Sequence, residues 1–144
     1  MEILRIAIYL FIIMELSNVI IMYFKPDFKY GNSMRVFNEF DKSKDDTNRY
    51  LFIKYMTNWV ANCKLIFILL LFVIAIIGNL ELLRYATLVT IISIGIFYIT
   101  LYPIIKTLDY NGEIIPKGYS KTLSIMIISF MLMFSIALIL SFIL

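Results

Sequence analysis

Two charged residues, Glu15 and Lys64, fall inside long apolar stretches, and any chemistry the chain performs has to start from them. A carboxylate near the middle of a bilayer costs a few kcal/mol, so it is kept there only with a partner or a purpose. Asn18 lies three residues beyond Glu15, about 60° around a helix, so both can face one neighbour. Lys64 is the natural charge partner. Asn58 and Asn62 are four apart and share a face, whereas Lys64 is two beyond Asn62 and about 160° around. Two arrangements follow. Either Lys64 pairs with Glu15 while the asparagines face another span, or Asn62 meets Glu15 while Lys64 snorkels to the interface. Thr87, Thr90, Ser93 and Thr100 crowd one side of a third stretch, where hydroxyls permit close helix packing or line a polar pocket opposite Glu15. The candidate ligand-binding set is therefore Glu15, Asn18, Asn62, Lys64, Thr90 and Ser93, with helix packing as the competing role for each.

Other chemistries lack their residues. The chain has no histidine and one cysteine, Cys63. Zinc and haem lose their usual ligands, an intrachain disulfide is impossible, and the commonest general base is missing. Lys64 sits beside Cys63 but points about 100° away, so the thiol has no base. No G-x-S-x-G and no Gly-rich phosphate loop occurs. Asp109, Asn111 and Glu113 begin like a calcium loop, but position 6 is Ile114 and position 12 is Ser120, where glycine and glutamate belong. No cofactor, metal or catalytic residue is assigned, and a non-enzymatic role is the expectation. The methionines Met14, Met22, Met126, Met131 and Met133 read as fillers of irregular gaps.

The elements that must position Glu15 and Lys64 follow from composition. Of 144 residues, 62% are hydrophobic and 16% charged, and the mean hydropathy is +0.91. A soluble domain of this size needs about a quarter of its residues charged to cover its surface, so a soluble enzyme and a disordered chain are both excluded. Four stretches meet the length of about 20 apolar residues that a bilayer demands: 3–24, 57–79, 85–105 and 122–144. The first carries Glu15 and Asn18 and lacks a small-residue cleavage site, so it reads as a retained helix rather than a signal peptide. The expected fold is all-α, a single transmembrane domain over 1–144 built as a four-helix bundle.

Orientation comes from Lys and Arg. Loop 25–56 holds Lys25, Lys29, Arg35, Lys42, Lys44, Arg49 and Lys54, and loop 106–121 holds Lys106, Lys117 and Lys121, against Arg5 and Arg84 on the other side. The positive-inside rule then places both long loops in the cytoplasm and both termini outside. The net charge of +3 is a property of one face, and no aromatic-interleaved basic module supports nucleic-acid binding.

Within the first loop, Lys25-Pro26 ends the first helix. Gly31-Asn32-Ser33 reads as a turn, with Ser33 an N-cap for a short interfacial helix reaching Phe40. Asp45-Asp46-Thr47 is a second helix start, from which one helix runs over 48–78, about 47 Å at 1.5 Å per residue. Asn79 to Arg84 forms a short turn, Asn111-Gly112 a tight one, and Pro103 should kink the last turns of span three. Both halves of the chain are span, basic loop, span, a layout compatible with a parallel repeat that residue identities are too few to support.

Four spans in this length with a long first loop resemble the layout of DoxX-like small membrane proteins. The eicosanoid and glutathione membrane-protein superfamily shares the four-span layout, but Arg35, Asn38 and Glu39 do not form its glutathione signature. The likeness is one of topology across the chain, carried by no motif. Three functions are expected in turn. The first is binding of a small or amphipathic ligand or an ion at the intramembrane polar cluster, in the lipid bilayer and with a homo-oligomer or membrane-complex partner as an option. The second is a structural or accessory subunit of a larger complex. The third is a DoxX-like or lipid-metabolising membrane enzyme.

Overall fold

The computed structural model describes residues 2–28 and 34–143. Among them lie seven α-helices and one 3₁₀ turn: α1 Glu2–Phe24, the turn Met34–Val36, α2 Asn38–Ser43, α3 Thr47–Ile77, α4 Leu80–Gly95, α5 Phe97–Thr100, α6 Tyr102–Tyr110 and α7 Tyr119–Ile143. Four segments are long and apolar enough to cross a membrane: α1, α3, Leu80–Thr100 and α7. Their outward faces carry exposed Ile, Leu, Phe and Val along their whole length, for example Ile13, Leu70, Val89 and Leu132. Helices that are apolar all round and yet exposed are suited to lipid rather than to water.

The helix ends are chemically determined. Asp46 caps α3, its carboxylate accepting from Asn48 N at 2.9 Å and Arg49 N at 3.2 Å, which satisfies donors that have no partner inside the helix. That is the start expected from Asp45-Asp46-Thr47. Asn79 caps α4 in the same way, accepting from Leu82 N at 2.9 Å. The third span therefore begins at Leu80 and not at residue 85, because Asn79 serves as a cap instead of a loop residue. The turn between α3 and α4 shrinks to Gly78-Asn79, and Glu81 and Arg84 move onto the helix.

The other end of this span also departs from expectation. The helix loses its regularity at Ile96 and at Leu101, although Ile96 N still bonds Ile92 O at 3.1 Å and Leu101 N still bonds Phe97 O at 2.9 Å, and the chain then continues through α6 to Tyr110, past residue 105. Pro103 takes an early position of α6, where a missing N–H costs nothing. The interruption thus falls ahead of the proline, whose ring crowds the carbonyl one turn earlier. At Asn111-Gly112 the expected tight turn is present and takes the form of a helix end. Gly112 has φ +77, Glu113 N bonds Leu108 O at 2.9 Å and Gly112 N bonds Asp109 O at 3.2 Å, the paired closure of a Schellman motif.

The short helix expected to run from Ser33 to Phe40 is divided. Its proposed cap and the turn 31–33 lie outside the described residues. Phe37 is extended, with φ −94 and ψ 125, because it pairs with Ile114 of the other long loop. Asn38 N bonds Glu113 O at 3.0 Å and Ile115 N bonds Val36 O at 2.8 Å. Asn38 Nδ2 donates to Gly112 O at 2.9 Å. The two long loops are thereby joined at one end of the bundle, here called the loop end; Gly78-Asn79 marks the opposite, turn end.

Helix α1 packs against α3 on one side and α7 on the other, and α7 packs against α4. At the turn end the packing is close: Leu4, Ala75, Leu83, Thr87 and Phe134 are all 0% exposed. Ala7, Ala75 and Ala137 supply the small contacts that let backbones approach without a hydrophobic drive between helices.

Candidate functional site

Glu15 sits on α1 about nine residues from its loop end, and Lys64 sits on the antiparallel α3 at matching depth. Lys64 Nζ donates to Glu15 Oε2 at 2.7 Å and to Asn18 Oδ1 at 3.0 Å. The three-residue spacing of Glu15 and Asn18 puts both acceptors on the face of α1 that meets α3. The lysine is the partner of Glu15, as in the first of the two arrangements open from sequence. The asparagine does not turn to another span, however. Asn62 returns to α1, where the Tyr23 hydroxyl donates to its Oδ1. Side chains lean toward the N-terminus of their own helix, so on antiparallel helices Tyr23 and Asn62 lean toward each other.

The ion pair borders a cavity of about 600 Å³ between α3 and the α4–α6 segment, in the loop-end half of the bundle. Phe11, Phe67 and Phe130 form its floor. Phe11 meets Phe67 and Phe130 edge-on, with ring centroids 6.2 and 5.1 Å apart, and Phe134 lies beyond them at 5.3 Å from Phe11. Aromatic edge-to-face packing of this kind makes a firm partition. The wall opposite Lys64 comes from the broken helix, through Ser93, Phe97, Thr100 and Leu101, and Phe37 closes the loop-end side. Ile96, Leu101 and Ile104 line the cavity and are also exposed, so it opens laterally. Two smaller hollows meet the same polar cluster. One of about 170 Å³ lies between α1 and α7 and includes Glu15 and Asn18. The other, of about 320 Å³, includes Asn18, Lys64 and Phe37.

Of the six residues singled out from sequence, Glu15, Asn18 and Lys64 are brought together, and Ser93 faces them across the cavity. Asn62 is engaged with Tyr23 outside it. Thr90 is buried, its hydroxyl returned to Ala86 O at 2.8 Å, and Thr87 does the same to Leu83 O at 2.8 Å. Neither threonine is among the residues that border the 600 Å³ cavity. The wall residues Phe97, Leu101, Ile105 and Leu108 were not visible as a site in the sequence. Gly95 and Pro103 flank the break and bracket the first two of them, Phe97 and Leu101.

Polar groups at the junction of the two long loops are structural. Asp109 is buried and accepts from Gly118 N at 2.8 Å, Ser120 N at 2.9 Å and Ser120 Oγ at 2.6 Å. The Ser120 hydroxyl and the Gly118 amide hold its carboxyl below the usual aspartate value. The residue considered as a calcium ligand thus organises the entry to α7. Glu113 pairs with Lys42 at 3.0 Å, and among the described residues no cluster of His, Cys, Asp or Glu is suited to a metal.

No protein-family model matches this chain, and no curated protein or solved structure matches it either. The functional reading rests on the geometry of the cavity.

Proposed function

We propose that this chain is a non-enzymatic multi-pass membrane protein that holds a single-chain amphipath, its hydrocarbon in the 600 Å³ cavity and its head group at Glu15, Asn18 and Lys64. The observation that carries this reading is the placing of one ion pair on the wall of an otherwise apolar, aromatic-floored cavity. Ligand sites have this make-up: hundreds of Å³ of apolar lining with a few convergent polar groups. Because Glu15 and Lys64 neutralise each other, the fitting head group is neutral or zwitterionic rather than a bare anion. The loops then face the cytoplasm and both termini the other side, a reading supported by ten Lys and Arg in the two long loops against Arg5 and Arg84.

The test is binding of spin-labelled lysophosphatidylcholine to the protein in nanodiscs. Wild type should immobilise the label, and Ser93→Phe, which fills the cavity opposite Lys64, should abolish the immobilised signal while the protein stays folded. A Ser93→Phe protein that still immobilises the label overturns the assignment.

A second reading has its own observation. The Lys64 bonds to Glu15 and Asn18 join α1 directly to α3, which is how intramembrane polar groups fasten helices. On that reading the chain is a structural or accessory subunit of a membrane complex. Glu15→Leu would then disrupt a stoichiometric assembly recovered by mild detergent extraction, and Ser93→Phe would leave that assembly untouched.

A further inference from the structure

At the turn end, remote from Glu15, a second cavity of about 470 Å³ lies between the start of α4 and the end of α7. Its α4 wall is Leu80 together with a helical stripe, Glu81, Arg84, Tyr85 and Leu88, at the i, i+3, i+4, i+7 positions that share a face. Its α7 wall is Leu138 and Phe142, four apart. The charged end of the stripe is at the end of the span and the apolar end runs into it.

Glu81 and Arg84 stand three apart in the arrangement that favours an ion pair, and they do not form one. Arg84 turns instead to α7. Its Nε donates to Ser141 Oγ at 3.1 Å, its second guanidinium nitrogen to Ser141 O, and its guanidinium lies 4.0 Å from the centroid of the Phe142 ring. These contacts fix the guanidinium plane. Among the described residues its Nη1 makes no hydrogen bond, and Glu81 makes neither hydrogen bond nor ion pair. A fixed cation with an open donor and an unpaired carboxylate one turn away therefore stand side by side above an apolar groove.

We propose that this groove binds a phospholipid with a primary-ammonium head group, of the phosphatidylethanolamine type. The phosphodiester takes the open side of the Arg84 guanidinium, the ammonium donates to Glu81, and an acyl chain follows Leu88, Leu138 and Phe142 into the bilayer. The two charges match the order of phosphate and ammonium in the head group. A carboxylate separates ammonium from choline because only the former can donate a hydrogen bond.

Native mass spectrometry of the full chain in detergent micelles, titrated with palmitoyl-oleoyl phosphatidylethanolamine or phosphatidylcholine, reads the proposal. Wild type should bind the ethanolamine lipid about tenfold more tightly, the difference one charge-assisted hydrogen bond supplies. Glu81→Gln should bring that lipid to the level of the choline lipid and lower the melting temperature only slightly, since Glu81 has no ion pair to lose beyond its place in the first turn of α4. Arg84→Lys should weaken both lipids while retaining a cation to meet Ser141. Soluble glycerophosphoethanolamine separates lipid from free phosphodiester: it should compete only at far higher concentration, and competition equal to the lipid's overturns the groove assignment. Equal binding of the two lipids by wild type, or a preference that survives Glu81→Gln, overturns the head-group assignment. Ser93→Phe should alter none of these values, which keeps this site separable from the lysolipid site.

Discussion

The two halves of the bundle are built from similar residues and reach opposite results. In the turn-end half, Leu4, Ala7, Ala75, Leu83, Phe134 and Ala137 are at most 5% exposed, and arginines bind carbonyls of buried residues at helix ends. Arg5 reaches Gly78 O at 3.2 Å beyond α3, and Arg84 reaches Ser141 O near the end of α7. In the loop-end half, α4 gives way to α5 and α6, a cavity of about 600 Å³ opens, and the ion pair stands on its wall. A tight half anchors the helices and a hollow half offers space. The partition between them is the Phe11, Phe67, Phe130 and Phe134 cluster. Space in the loop-end half lies among all four spans, beside the ion pair, whereas the turn-end cavity of about 470 Å³ lies to one side of the close-packed core, between α4 and α7.

The sharpest way to break this contrast is to empty both halves equally. Phe134→Ala removes a ring that is 0% exposed and should cost about 3–5 kcal/mol. Phe97→Ala borders space that already exists and should cost less than half of that, because few contacts on its cavity side are lost. Thermal unfolding of the two variants in one detergent measures the difference. Equal losses would show that the cavity half is as closely packed as the other.

Next in size is the ion pair. Glu15→Leu leaves Lys64 with Asn18 alone at mid-span and should cost about 3 kcal/mol. The double substitution Glu15→Leu with Lys64→Met should recover most of that stability, because an apolar pair needs no neutralisation. Its decisive readout is lysolipid binding: a recovered fold with no binding assigns the pair to the ligand, whereas recovered binding assigns it to helix packing.

A smaller effect separates the loop junction from the spans. Asp109→Ala removes three hydrogen bonds at the start of α7 and should cost about 2 kcal/mol. The Asp109 carboxyl is held below its ordinary value of 3.8, so its contribution is complete above that pH and is lost as pH falls through the lower folded-state value. Protection of the Gly118 and Ser120 amides, taken relative to their intrinsic exchange rates, should therefore be high at pH 6 and should fall below about pH 3.8. In Asp109→Ala it should be low at both.

These contrasts also mark what could be read from the chain alone. The helices were legible because hydropathy and length decide them. The start of α3 was legible to within a residue because Asp45-Asp46-Thr47 is a run of cap-forming residues, of which the structure uses Asp46. Asn79 was not, since an asparagine after Gly78 suits a turn as well as a cap, and the choice depends on how closely α3 and α4 approach. Lys64 was identifiable as the partner of Glu15 from depth, but two rotational settings remained until α1 and α3 were packed. The cavity was illegible. It arises from where the third span loses its regularity relative to three other helices, and no residue pattern encodes that distance. Phe37 was hidden for a similar reason: its extended backbone comes from pairing with Ile114, far away in sequence.

The smallest predicted effect is at the boundary of the two halves and has the opposite sign. Gly95 closes α4 immediately before the interruption at Ile96. A Cβ placed there would meet Met131 Cε at 3.5 Å, an ordinary contact, so alanine fits. Alanine is favoured over glycine in a helix by up to about 1 kcal/mol, and Gly95→Ala should stabilise the protein by roughly 0.5–1 kcal/mol. If the hollow half needs yielding at this joint to admit hydrocarbon, the gain in stability should come with slower uptake of spin-labelled lysophosphatidylcholine and an unchanged final occupancy. Stabilisation with unaltered uptake would instead mean that the cavity stands open as built, and that Gly95 serves only the approach of α4 to α7.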